Sequence, residues 1–178
     1  MAEPVQTSVQ KKICMLGSYA VGKTSLVRRF VEGIFDDRYL TTLGVKIDRK
    51  RIVIGGRELN LVLWDLAGDD QLTEPKPSHF RGSAGYIVVA DGCRRSTVEH
   101  AIAMEERAET ISGPVPVVLA FNKVDLRPDW EIGDAEAERV SQNGWTPVCT
   151  SAKTGAGVET LFTNLAEKLV EANEHTAT

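Results

Sequence analysis

The sequence offers little with which to build covalent cross-links. Its three cysteines, Cys14, Cys93 and Cys149, are odd in number and widely spaced, so neither a disulfide framework nor a zinc cluster is implied. Each adjoins an apolar run, and all three are expected as buried free thiols in a reducing cytoplasm. Positive charge is also in deficit, 21 Lys and Arg against 25 Asp and Glu. A net charge of −4 argues against a nucleic-acid surface, which needs clustered Lys and Arg. The densest basic stretch, Lys46 to Arg57, alternates with Ile47, Ile52, Val53 and Ile54, as a strand with one wet face does. No apolar run approaches membrane-spanning length, and the N-terminal residues lack a signal peptide's apolar core. Repeats and linker-like stretches are absent too.

What remains is 178 residues, ample for one α/β domain with a core and short for two. Strand-like and helix-like segments alternate, the mark of a layered α/β sheet. Ile52 to Ile54, Gly55-Gly56 and Leu59 to Trp64 read as an antiparallel hairpin. Tyr86 to Ala90 and Val115 to Phe121 read as strands buried on both faces, and Trp145 to Cys149 as a weaker final strand. Ser96 with Glu99 forms a capping box ahead of Ala101, Ile102, Met104 and Ala108. Val158, Leu161, Phe162, Leu165 and Leu169 recur at helical spacing. Residues 1–10 are expected as a flexible tail, 11–171 as the folded domain and 172–178 as a second tail.

The most informative fragment is Gly17-Ser18-Tyr19-Ala20-Val21-Gly22-Lys23-Thr24, which fits G-x-x-x-x-G-K-[ST]. It follows the apolar Ile13 to Leu16 and opens a helix-like run from Ser25. Backbone N–H groups of such a loop cradle phosphate, and the helix N-terminus adds favourable partial charge. Lys23 brings a full charge to the outer phosphates, and the Thr24 hydroxyl can reach a magnesium ion. The alternative is an ordinary glycine-rich turn before a helix. By itself the loop indicates a nucleoside triphosphate and no more.

Three further polar clusters each follow a strand-like run, where an open parallel sheet puts its ligands. Asp65-Leu66-Ala67-Gly68 offers a carboxylate for a magnesium-bound water and a glycine N–H for a terminal phosphate. Asn122-Lys123-Val124-Asp125 offers a carboxylate that accepts from both N1–H and the N2 amine of guanine. Adenine would leave that carboxylate unpaired. Thr150-Ser151-Ala152-Lys153 is placed to touch the base from its other side.

In this order, the four motifs resemble the Ras superfamily of small GTPases, and its Rab branch most closely, over about Lys11 to Val170. The resemblance implies a P-loop GTPase fold, a six-stranded, mostly parallel sheet flanked by five helices. It implies that GTP or GDP is bound with Mg2+ by Gly17, Ser18, Tyr19, Ala20, Val21, Gly22, Lys23, Thr24 and Ser25, with Phe35 packed edge-on against guanine. Thr42 looks like the first-switch threonine that joins Thr24 and Asp65 around magnesium in the GTP state. Gly68 looks like the γ-phosphate sensor. Asn122, Lys123, Asp125, Ser151, Ala152 and Lys153 would form the base pocket. Lys23, Thr42, Gly68 and Asp69 fall at the catalytic positions. Effectors, an exchange factor and an activating protein would read the switch segments of a monomer.

The sequence departs from that pattern in several places. Asp69 stands where the family carries the glutamine that orients water. A carboxylate 4 Å from the phosphate charge at a surface-like dielectric meets repulsion of order 4 kcal/mol before screening. Asp69 is therefore expected to swing away, bind a second cation or be protonated; the alternative is a general base. Gln71 would substitute only with a different loop path. Tyr19 replaces a small residue beside the γ-phosphate and either obstructs an incoming arginine or points to solvent. Together they imply slow hydrolysis, or a constitutively bound module. Pro75 and Pro77 argue against the usual second-switch helix. Of the aromatic cluster that Rab partners read, Trp64 is kept while Ile47 and His79 differ. No terminal cysteine or N-terminal glycine supports a lipid anchor. A P-loop kinase would need an acceptor lid, and nothing supplies one.

Overall fold

The computed structural model describes residues 8–38, 42–67 and 75–176. In chain order it contains β1 (Val9–Leu16), α1 (Lys23–Glu32), β2 (Val45–Ile54), β3 (Arg57–Leu66), α2 (Pro77–Phe80), β4 (Gly85–Asp91), α3 (Ser96–Ser112) and β5 (Val117–Asn122). A 3₁₀ segment (Val124–Asp129), α4 (Asp134–Gln142), β6 (Pro147–Thr150) and α5 (Val158–Thr176) complete it. The sheet runs β2-β3-β1-β4-β5-β6. Among the described residues only β2 and β3 pair antiparallel; the other pairings are parallel. The expected six-stranded, mostly parallel fold is thus present.

Period-two alternation sorts each central strand between two cores. Ile13 and Met15 of β1 face α1 and α5 with Ile87, Val89, Leu161 and Leu165. Cys14 and Leu16 face α3 with Tyr86, Val88, Ala101 and Leu119. Both β4 and β5 are buried along their whole length, as continuous apolar runs demand. On the first face Phe30 of α1 stacks on Phe162 of α5, centroids 3.9 Å apart. At the opposite end from the loop after β1, Gly55 and Gly56 take φ of 55° and 78°. Two positive-φ residues make the tight turn that suits a twisted hairpin.

Several local expectations are corrected. Strand β1 begins at Val9, and α5 continues to Thr176, so the expected tails are overrun by regular structure at residues 9–10 and 172–176. Ser96 is not a cap. Arg95 is the N-cap in αR geometry, and backbone bonds Thr97 N–H to Arg94 O and Val98 N–H to Arg95 O already satisfy the first donors. Glu99 instead pairs with Arg139. A second-switch helix does form, as a single turn with Pro77 in its first turn, where a missing N–H costs nothing. Of the thiols, Cys14 is buried, Cys93 half-buried and Cys149 exposed, because β6 is an edge strand. Trp145 lies before β6 and fills the α3-side core.

Glu105 sits on the buried face of α3 beside Ala101 and Ala108, 8% exposed. Burial, reinforced by Glu109 and Glu106, pushes its carboxyl up to about 7. Between an unfolded value near 4.5 and that value, the folded chain binds more protons, so stability falls as pH rises through this window. Glu105→Gln is therefore predicted to raise the melting temperature at pH 8 by about 2–4 °C, for a gain of order 1 kcal/mol. Little change is expected at pH 4.5. Thermal unfolding followed by circular dichroism at both pH values tests this, and an equal shift at both would refute it.

Candidate functional site

The parallel strands β1, β3, β4, β5 and β6 end on one edge of the sheet. The order reverses at β1, which lies between β3 and β4. Such a switch point opens a crevice for a ligand. Residues 17–22 turn there from β1 into α1, whose N-cap Gly22 has φ 102°. A Cβ on Gly22 would stand 2.3 Å from Asn122 Nδ2, so only glycine fits. Asn122 Nδ2 donates to Val21 O at 2.9 Å, and Thr150 Oγ1 donates to Asn122 Oδ1 at 3.0 Å. The end of β5 thereby props the first loop. Lys23 is 6% exposed, and its Nζ donates to Gly17 O at 2.7 Å and Ser18 O at 2.9 Å.

Beside this loop, three oxygen-bearing side chains converge. Thr24 Oγ1 lies 2.5 Å from Thr42 Oγ1 and donates to Asp65 Oδ2 at 2.5 Å. Asp65 is 1% exposed, and its Oδ1 has no hydrogen-bond partner among the described residues. Burial pushes its carboxyl above the usual range, opposed by the Thr24 hydrogen bond and the Lys23 charge. A buried carboxylate oxygen with no donor is costly, and a hard cation would satisfy it. Two hydroxyls and one carboxylate suit magnesium, which keeps water and phosphate among its ligands. The residues present fit that ion.

A cavity of about 360 Å³ opens over both features. Tyr19, Ala20, Gly22, Lys23, Thr24, Ser25, Phe35, Thr42, Asn122, Lys123, Asp125, Ala152 and Lys153 line it. Ser151 does not line it but donates to Asp125 Oδ1 at 2.6 Å, which orients that carboxylate. Gly17, Ser18 and Val21 do not line the cavity; their carbonyls accept from Lys23 Nζ and Asn122 Nδ2. Gly68 and Asp69, and Gln71 with them, lie outside the described residues. Leu126 and Asp36 to Arg38 also line the cavity. Arg29 was not legible as a site residue. From α1 it donates to Ala152 O at 2.7 Å, Lys153 O at 2.5 Å and Gly33 O at 3.1 Å, holding the loop after β6. A long side chain reaching carbonyls more than a hundred positions away leaves no local signal.

A switch-point crevice with a glycine-bounded loop, a buried lysine, a hydroxyl–carboxylate cluster and a carboxylate-bearing pocket defines a P-loop nucleotide-binding domain. The model of the Ras family matches residues 12–171. Ras-related protein Rab-21 of Geodia cydonium is 34% identical over 170 residues, covering 94% of this chain and 74% of that protein. The human Rab-21 is 33% identical over 162 residues, with coverages of 90% and 72%. Ras-related protein Rab-4 of Dictyostelium discoideum is 35% identical over 153 residues, with coverages of 85% and 75%. The chain belongs to the Ras family: it is a Rab-like small GTPase, a GTP-binding switch protein. Among the described residues, no helix is long and apolar enough to cross a membrane.

Gly22→Ala is predicted to weaken nucleotide affinity about tenfold or more, since strain of ~1–3 kcal/mol and displacement of Asn122 fall on the same loop. Titration calorimetry with GDP measures it; an unchanged Kd would contradict the close approach.

Proposed function

We propose that the chain cycles between GTP- and GDP-bound forms, binds Mg2+ through Thr24, Thr42 and Asp65, and hydrolyses GTP slowly to GDP and phosphate. The convergence of the Thr24 and Thr42 hydroxyls on Asp65 Oδ2, with Asp65 Oδ1 buried and without a hydrogen-bond partner among the described residues, carries this reading. Magnesium, when bound there, would neutralise charge on the β- and γ-phosphate oxygens. In this reading Lys23 leaves the Gly17 and Ser18 carbonyls for phosphate oxygens, and the loop N–H groups orient the chain of phosphates. Asp125, held by Ser151, selects guanine. Phe35 packs beside the base, and Ala152 and Lys153 close it from above. Gly68 senses the γ-phosphate. Asp69 handicaps water positioning, so that unassisted turnover falls at or below about 10⁻³ s⁻¹. The protein acts as a monomer in the cytoplasm. An exchange factor, an activating protein and effectors read the switch segments and the neighbouring hairpin, where Ile47 pairs with Trp64.

A second reading is a constitutively nucleotide-bound interaction module with negligible hydrolysis. Tyr19 favours it, since this bulky side chain lines the cavity and is 39% exposed.

Single-turnover GTP hydrolysis with and without magnesium separates the two. The switch reading expects slow, magnesium-dependent turnover that Asp69→Gln accelerates. Tyr19→Gly combined with Asp69→Gln should exceed either change. A tenfold slowing by Asp69→Gln, equivalent to ~1.4 kcal/mol, would instead make the carboxylate catalytic. Nucleotide competition gives an independent check. Asp125→Asn is predicted to weaken GDP and admit xanthine nucleotides, whose 2-oxygen accepts from the new amide. Comparable ATP and GTP affinity in the unaltered protein would sink the base-pocket assignment.

A further inference from the structure

Three successive carbonyls of the loop after β1 are each held by a side chain from another part of the chain. Val21 O accepts from Asn122 Nδ2 at 2.9 Å, Ala20 O from Lys123 Nζ at 3.1 Å, and Tyr19 O from Arg94 Nη2 at 2.8 Å. The two cations share one anchor. Asp91 Oδ2 lies 2.7 Å from Lys123 Nζ and 3.0 Å from Arg94 Nε. Asp91 ends β4 and is 1% exposed. Its Oδ1 accepts from Cys93 N at 2.9 Å, and its own N–H donates to Thr97 Oγ1 at 2.9 Å. Charge-assisted bonds to a buried, fully engaged carboxylate fix the orientation of both cations.

The backbone they grip is strained. Among the described residues, Ala20 and Lys123 are the non-glycine residues with positive φ, at 60° and 72°. A left-handed conformation at a residue bearing Cβ persists only where its surroundings hold it. Lys123 links the two strained positions directly, and its own carbonyl accepts from Trp130 Nε1 at 2.8 Å. Arg94 comes from the β4–α3 connection, which does not line the cavity. It takes the carbonyl immediately before Ala20, so the Tyr19–Ala20 peptide cannot rotate without breaking that bond.

We propose that Arg94 is a positioning residue. Anchored on Asp91, it holds the Tyr19–Ala20 peptide in its strained turn, ties the phosphate loop to the base loop through Lys123, and thereby slows release of bound nucleotide. This rests on the reading of the cavity as the guanine-nucleotide site. Arg94 acts without touching the nucleotide. With it removed, Ala20 relaxes toward ordinary φ, and the loop N–H groups lose their common aim.

The test uses the full chain loaded with a fluorescent GDP derivative, chased with excess unlabelled GDP. Release is measured for the wild type, Arg94→Met, Ala20→Gly and the double variant, with thermal unfolding of each. Arg94→Met is expected to release about tenfold faster. Glycine adopts the left-handed turn without strain, so in the Ala20→Gly background the same change should alter release by less than about twofold. Arg94→Gln, which keeps a neutral donor, should fall between. Equal factors in both backgrounds would mean a general structural role and overturn the proposal. So would release by Arg94→Met within twofold of wild type. Wild-type protein that retains no guanine nucleotide would overturn the site assignment itself, and the clamp with it.

Discussion

Burial of β1 on both faces is the constraint from which the rest is built. Ile13, Cys14, Met15 and Leu16 are 0% exposed, clamped between the α1–α5 layer and the α3 layer. A strand so enclosed must satisfy its backbone through neighbours, and it does so through β3 on one side and β4 on the other. That pairing fixes where the chain emerges after Leu16. It also brings the ends of β3 and β4, with Asp65 and Asp91, to either side of the emerging loop. The chemistry at this edge is thus set by apolar packing several residues away. Removing one large core side chain would cost about 2–5 kcal/mol, and would be felt at the loop as misalignment.

The two carboxylates flanking that loop are equally buried and opposite in character. Asp91 has two cations and a backbone donor, and its charge is consumed internally. Asp65 shares one oxygen with Thr24 and Thr42 and leaves the other without a partner among the described residues. Desolvation makes such an oxygen expensive to keep charged. One aspartate therefore belongs to the scaffold, while the other is poised for something that arrives with positive charge.

Much of the fold was legible because its signals are local. The strand runs at Tyr86–Ala90 and Val115–Phe121, the glycine pair at 55–56 and the α5 stripe each specify their element through nearby residues. Errors arose where tertiary context decided. Ser96 looked like a cap, but the tight turn from Arg94 had already paired the first N–H groups, leaving Glu99 for Arg139. Cys149 follows apolar residues and yet points outward, since sheet order made β6 an edge. Pro77 reads as a helix breaker until its place in the first turn is known. At the site, motif residues with short reach were visible in the sequence as clusters after strands. Arg29, Arg94 and Asp91 were not. The two arginines reach carbonyls, which every residue has, Asp91 takes its cations from two separate loops, and none of these separations carries a period.

The hairpin has a mechanical consequence. Thr42 precedes β2 and Ala67 follows β3, and Gly44 O accepts from Ala67 N–H at 2.9 Å. Thr42 and Ala67 thus flank the same end of one ladder, ten residue pairs long. Sliding one strand by a single residue would turn Leu59, Leu61 and Leu63 out of the core. Shear is thereby forbidden, and the ladder, anchored along β3 to β1, is as stiff in its plane as the sheet itself. A displacement of Thr42 is therefore passed to Ala67 across the Gly44–Ala67 hydrogen bond and is not absorbed between the strands, as in two handles riveted to one plate.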